Sequence, residues 1–118
     1  MRIYNITTES KFTGMYISED DCANFIYNVC LHANMHNMAQ IAMISNYARH
    51  VLQDLFEKQD NVVFTLATVQ HGNKNCVRLS AMCAILGKIL NLDDNVTMTI
   101  AHKLTEEWED VEIEVGGN

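Results

Sequence analysis

Two stretches of the chain repeat apolar residues at helical spacing. In the first, Cys22, Phe25, Ile26, Val29, Cys30 and Ala33 recur every three to four positions, which predicts a helix with one buried face. Its start is marked by Ser18 and three acids, Glu19, Asp20 and Asp21. Ser18 is a capping residue, Asp21 takes the capping-box position, and acids suit the positive end of the helix dipole. In the second stretch, Ile41, Ile44, Ala48, Val51, Leu52, Leu55 and Phe56 carry the same period and predict a helix over about 38–58. His32–Asn37, with two Asn and two His, interrupts the pattern. Two helices are therefore expected, with one bent helix as the alternative. A third helix is predicted over Ala81–Leu90, with Met82, Ile85, Leu86 and Ile89 on one side and Ser80 as its cap.

Strand signals lie between and around these helices. Residues 2–7 (RIYNIT) and 62–69 (VVFTLATV) are rich in β-formers, and Cys76–Leu79 is a short strand paired back through Gln70–Asn75, where Gly72 allows a tight connection. Val96, Met98 and Ile100 alternate with Thr97 and Thr99, the pattern of a half-buried strand. Val111, Ile113 and Val115 alternate with Glu112 and Glu114, the pattern of an exposed edge strand. Thr8–Tyr16 reads as a loop around Gly14, and Lys103–Trp108 as a helical turn. The resulting order predicts an α+β fold: an open-faced β-sandwich with one antiparallel sheet and helices on one face. No repeat or domain boundary is visible, so residues 1–118 are expected to form a single domain.

Composition narrows the function classes. Apolar residues make up 48%, enough for a core, and 8 cations against 15 acids give a net charge of −7. That balance argues against a nucleic-acid partner, which needs clustered cations. No apolar run is long enough to span a membrane, and the first ten residues lack a secretion signal's apolar segment. A cytoplasmic location is expected, with Cys22, Cys30, Cys76 and Cys83 free and packed as small hydrophobes.

Catalytic motifs are missing: there is no phosphate-binding loop, dinucleotide fingerprint, nucleophile elbow or zinc-protease helix. No enzyme activity and no cofactor are expected. His32 and His36 have zinc-helix spacing but no acid at matching spacing and no second ligand pair, so no metal is expected. Met15, Met35, Met38, Met43, Met82 and Met98 read as core filler. Residues 105–118 form an acidic tail or strand with Glu106, Glu107, Glu109, Asp110, Glu112 and Glu114. Trp108 within it either anchors the tail to the core or marks a partner contact. The apolar, Met-rich helix near 38–58 offers a homodimer seam.

The stretches Val77–Leu86 and Asn91–Ile100, with the hairpin before them, resemble HPr, the histidine-containing phosphocarrier of the bacterial sugar phosphotransferase system. The likeness covers residues 61–101, about a third of the chain, with a weaker match over Lys11–Ser18. It implies an HPr-like fold with residues 34–58 as an inserted helix. It places Tyr16 where the phosphorylated His stands in the family and Ser18 where its Arg stands, so Gly14, Tyr16 and Ser18 would form a degenerate active-site loop. Ser80 matches the family's regulatory phosphorylation site, although Ala81-Met82-Cys83 replaces the usual Ile-Met-Gly after it. Met82, Ile85 and Ile89 match the partner-docking face, to which Trp108 is added as a candidate. The implied function is a non-catalytic regulator that binds another protein. The alternatives are an acidic interaction or inhibitor protein, such as a mobile element carries, and a phosphocarrier using His32, His36 or His50.

Overall fold

The structure is a computed structural model that describes residues 1–7, 13–57 and 67–114. The described elements run β1 (Arg2–Thr7), β2 (Thr13–Ser18), α1 (Glu19–His32), α2 (Met38–Glu57), β3 (Thr68–His71), β4 (Lys74–Arg78), α3 (Leu79–Leu90), α4 (Asp94–Thr105) and β5 (Glu109–Glu114). The fold is α+β, with one open five-stranded sheet in the order β3-β4-β2-β1-β5. The expected all-antiparallel sheet is corrected to a mixed one. β1, β2, β4 and β3 pair antiparallel, but β5 runs parallel to β1, with Tyr4 opposite Val111 and Ile6 opposite Ile113. The helix α4 between β4 and β5 returns the chain to the far edge in the same sense as β1. At that edge the Glu109 amide donates to the Met1 carbonyl and Arg2 Nε pairs with Glu109 Oε2, both at close range.

α1 begins and ends where its sequence signals. Ser18 occupies the N-cap position, though its hydroxyl makes no capping bond, and three acids fill the first turn. Cys22, Phe25, Ile26, Val29 and Cys30 are buried. The helix stops at Asn34, whose φ of 61° lies in the left-handed region that asparagine tolerates. Two helices, not one bent helix, therefore occupy this region. Asn37 starts the second: its side-chain oxygen accepts from the Gln40 amide at 3.1 Å.

Val96–Ala101, expected as a strand, lies within α4. Its inward positions are Thr97, which is 1% exposed, and Ala101, which is fully buried, while Val96 faces solvent. Alternation misled because the fully buried positions carry small residues, while Met98 and Ile100 pack only partly against the core. Asp93 caps the helix by accepting from the Asn95 amide at 2.8 Å. The threonine hydroxyls bond back to the preceding turn, Thr97 to the Asp93 and Asp94 carbonyls and Thr99 to that of Asn95. Gly87 permits the close α3–α4 contact: a Cβ there would meet the Leu92 carbonyl oxygen at 3.2 Å and Thr97 Oγ1 at 3.4 Å.

Two apolar clusters flank the sheet. Ile3, Ile17 and Val77 of the strands join the buried residues of the helices in the larger one. On the opposite face Tyr4, Ile6, Tyr16 and Cys76 form the smaller, with Val69, Val111 and Ile113 packed against them. Much of the expected strand 62–69 lies outside the described residues, and so do parts of the expected loop 8–16 and of the tail 105–118.

Candidate functional site

Gly14, Tyr16 and Ser18, expected on a loop, belong to strand β2. Tyr16 is fully buried and stands opposite Tyr4 on one side and Arg78 on the other. Burial raises its phenol above the ordinary range, with Arg78 opposing the shift. A loop aromatic available to a partner is thus replaced by a core residue of the second cluster. Ser18 is buried at the other end of the strand.

Ser80 does not cap α3. The N-cap position falls on Arg78, and Ser80 is exposed in the helix's first turn, which holds no acid. Gly14 and Ser80 both line one recess of about 260 Å³, with Asn5, Thr13, Arg78 and Met98 among its other walls. Tyr16 and Ser18 are absent from its lining. The four residues singled out around the degenerate motif therefore do not converge on one place.

The expected docking set divides in the same way. Met82 is fully buried in the core and presents no surface to a partner. Trp108 packs edge-on against Phe25, with ring centroids 6.3 Å apart and planes at 79°, so it anchors the start of β5 to the helical layer. Ile85 and Ile89 remain accessible. They line an open groove of about 610 Å³ between α2 and α3, together with Tyr47, Val51, Ala84 and Lys88.

The groove follows from how α2 packs. Its inward stripe is Ile41, Ala48 and Leu52, seated against α1 and α3. Met43 and Tyr47, one turn apart, lie on the other side of the helix from that stripe and stay 72% and 61% exposed. Met38 is 61% exposed as well. The expectation that Met38 and Met43 fill the core is corrected, whereas Met15, Met35 and Met98 do pack against it. On α3 the outward positions Ala84 and Lys88 leave the groove floor low, because one is a methyl and the other a flexible chain. Tyr47, Val51 and Ala84 were not singled out from the sequence. The available signal was the i, i+4 pair Met43–Tyr47 set off from the core stripe.

A second recess, about 440 Å³, is polar. Arg2, Tyr4, Ser18, Asp20, Asp21, Lys74 and Glu109 line it near the start of α1. Arg2 and Glu109 pair within it, and Lys74 Nζ donates to Tyr4 Oη at 3.5 Å.

No nucleophile is offered by the thiols. All four cysteines are free and buried. Burial, reinforced by Glu19 and Asp21, pushes Cys22 up to about 12, and burial with Asp94 pushes Cys83 up to about 11. Cys30 and Cys76 are raised by burial too. Thiols of this kind stay protonated at neutral pH. His32 ends α1, with Nδ1 3.0 Å from the Asn28 carbonyl, and His36 lies in the connection beyond it, so the two do not share a helix. Among the described residues no group of three or more His, Cys, Asp or Glu is placed to hold a metal ion. Nor is any described helix long and apolar enough to cross a membrane. Comparison of the chain with protein-family models, with curated proteins and with solved structures finds no match.

Proposed function

We propose that this chain is a non-catalytic protein that acts by binding another protein chain, with the α2–α3 face as its contact surface. The observation that carries the reading is the largely exposed Tyr47 in the lining of the apolar groove between α2 and α3. Large exposed apolar side chains next to a concave apolar surface mark interaction sites, and tyrosine is a common anchor in them. The HPr-like, regulatory form of this proposal draws on the strand-then-helix order of β4 and α3, with Ser80 exposed in the first turn of α3 beside Arg78. A phosphate on Ser80 would meet the free amides of that turn. Against the family pattern stands α4, a helix over the segment where the likeness implies a strand.

The test compares wild-type chain with Tyr47→Glu and Ala84→Glu, each purified from its own host and studied by native mass spectrometry. A bound protein chain present with wild type and lost with both variants, at unchanged melting temperature, is the expected result. Stoichiometric acid-labile phosphohistidine after treatment with enzyme I and phosphoenolpyruvate would replace the reading with a carrier.

One further observation favours a second reading. β5 exposes Asp110, Glu112 and Glu114 at the edge of the described sheet, a surface suited to a basic partner. In that case Glu112→Gln with Glu114→Gln, rather than Tyr47→Glu, abolishes capture, and capture weakens with salt.

A further inference from the structure

We infer that the polar recess at the start of α1 binds a small zwitterion of the α-amino-acid type. Asp20 and Asp21 hold its ammonium, and Lys74 with the Ser18 hydroxyl holds its carboxylate. The site is separate from the α2–α3 face. The pleat of the sheet builds it. Side chains alternate across a strand, so the register puts Tyr4 of β1, Ser18 of β2 and Lys74 of β4 on one face, with the Arg2–Glu109 pair beside them. α1 follows β2 without a connecting loop, which brings the acids of its first turn to the rim of the same recess of about 440 Å³. A smaller recess of about 190 Å³ shares Ser18, Asp20 and Lys74 with it.

Ser18 is the group that points to a ligand. It is 4% exposed, yet its hydroxyl makes no capping bond and no other hydrogen bond among the described residues. It borders both recesses. A buried hydroxyl without a partner is costly, and a ligand that supplies the bond recovers that cost. Charge then selects the ligand. Arg2 is engaged by Glu109, and Glu19 accepts from Asn75. Asp20, Asp21 and Lys74 form no ion pair among the described residues. The two carboxylates repel a simple anion, and the Lys74 ammonium repels a simple cation. A molecule that carries both charges a few bonds apart satisfies both sides, with charge-assisted hydrogen bonds at each end. Asp20 and Asp21 belong to no group of three or more ligating side chains among the described residues, which disfavours a metal ion.

The test follows backbone amide resonances of the ¹⁵N-labelled full chain while each standard α-amino acid is titrated in turn. Methylammonium and acetate serve as half-ligand probes. At least one amino acid is expected to saturate shifts at Ser18–Asp21 and Lys74 with a Kd on the order of 1 mM or tighter, and both half-ligands to bind about tenfold more weakly. Ser18→Ala, Asp20→Asn and Lys74→Met should each weaken the amino acid by about fivefold to tenfold. Asp20 and Lys74 are exposed, so their variants should keep the wild-type melting temperature and report on binding even if Ser18→Ala unfolds. No saturable shift with any amino acid up to about 20 mM overturns the site. Methylammonium or acetate binding as tightly as the amino acid overturns the zwitterion, and so does binding indifferent to Asp20→Asn and Lys74→Met.

Discussion

α1 and α2 are both amphipathic and both legible in the sequence, yet they do opposite work. α1 buries Cys22, Phe25, Ile26, Val29 and Cys30 within 14 residues, lying against β2, β4, α2 and α4. α2 is longer, at 20 residues, and buries only Ile41, Ala48 and Leu52. It packs chiefly on α1 and α3, on the outside of the helical layer. Ile44, Leu55 and Phe56 pack partly against the core, while Met38, Met43 and Tyr47 are largely exposed. The lesson is that apolar content marks a helix as buried somewhere, while the fraction used inside one chain shows how much is left for another.

Substitutions separate the two roles, beginning with the largest effect. Phe25→Ala removes a fully buried ring and its edge contact with Trp108, and should cost about 3–5 kcal/mol in urea denaturation. Gly87→Val forces side-chain atoms against the Leu92 carbonyl oxygen and Thr97 Oγ1 in the inner layer. It should cost about 1–3 kcal/mol, with a lowered midpoint and unchanged m-value.

Alkali probes the buried thiols of α1 and α3, for which α2 has no counterpart. Cys22 and Cys83 hold their protons in the folded state to about 12 and about 11, whereas an unfolded thiol loses its own near about 8.5. The folded state then binds more protons than the unfolded one, so stability falls as pH rises through that window. Each such thiol contributes up to about 1.4 kcal/mol per pH unit, and Cys22→Ala should flatten the fall. Below about pH 8 the same thiols should contribute no slope. The smallest effect belongs to α2's outer face. Tyr47→Ser should change the stability of the isolated monomer by less than about 0.5 kcal/mol, and a larger loss would mean that Tyr47 serves this chain's own core.

A fifth expectation concerns the sheet. Thr68 Oγ1 is buried without a hydrogen-bond partner among the described residues. Thr68→Val keeps the shape and removes the orphan hydroxyl, and should raise stability by about 1 kcal/mol, read from the melting temperature.

Local signals sufficed for β1, α1, α2, α3 and β5, because each carries a clean period and, in α1, a capping residue followed by acids. α1 and α2 match their expected spans to within a residue or so. α4 was missed because its fully buried residues are Thr97 and Ala101, while the alternating Val96, Met98 and Ile100 are split between solvent and the margin of the core. β2 was missed because Gly14 reads as a turn, whereas in the structure it is an extended residue paired with Ile6.

The chain alone determined that four free cysteines would be buried, that two amphipathic helices would follow an early strand, and that an acidic edge strand would close the chain. These are properties of one element at a time, set by period, propensity and capping chemistry. Only the tertiary structure decided which apolar residues are spent within the chain. Tyr16 and Met82 vanish into the two cores, Trp108 pins α4 and β5 to Phe25, and Met43 and Tyr47 stay outside. Periodicity shows that a residue lies on an apolar face, but not whether another element covers that face. That depends on the order of strands in the sheet and on how closely helices approach, here through Gly87, Thr97 and Ala101, residues that carry almost no signal by themselves.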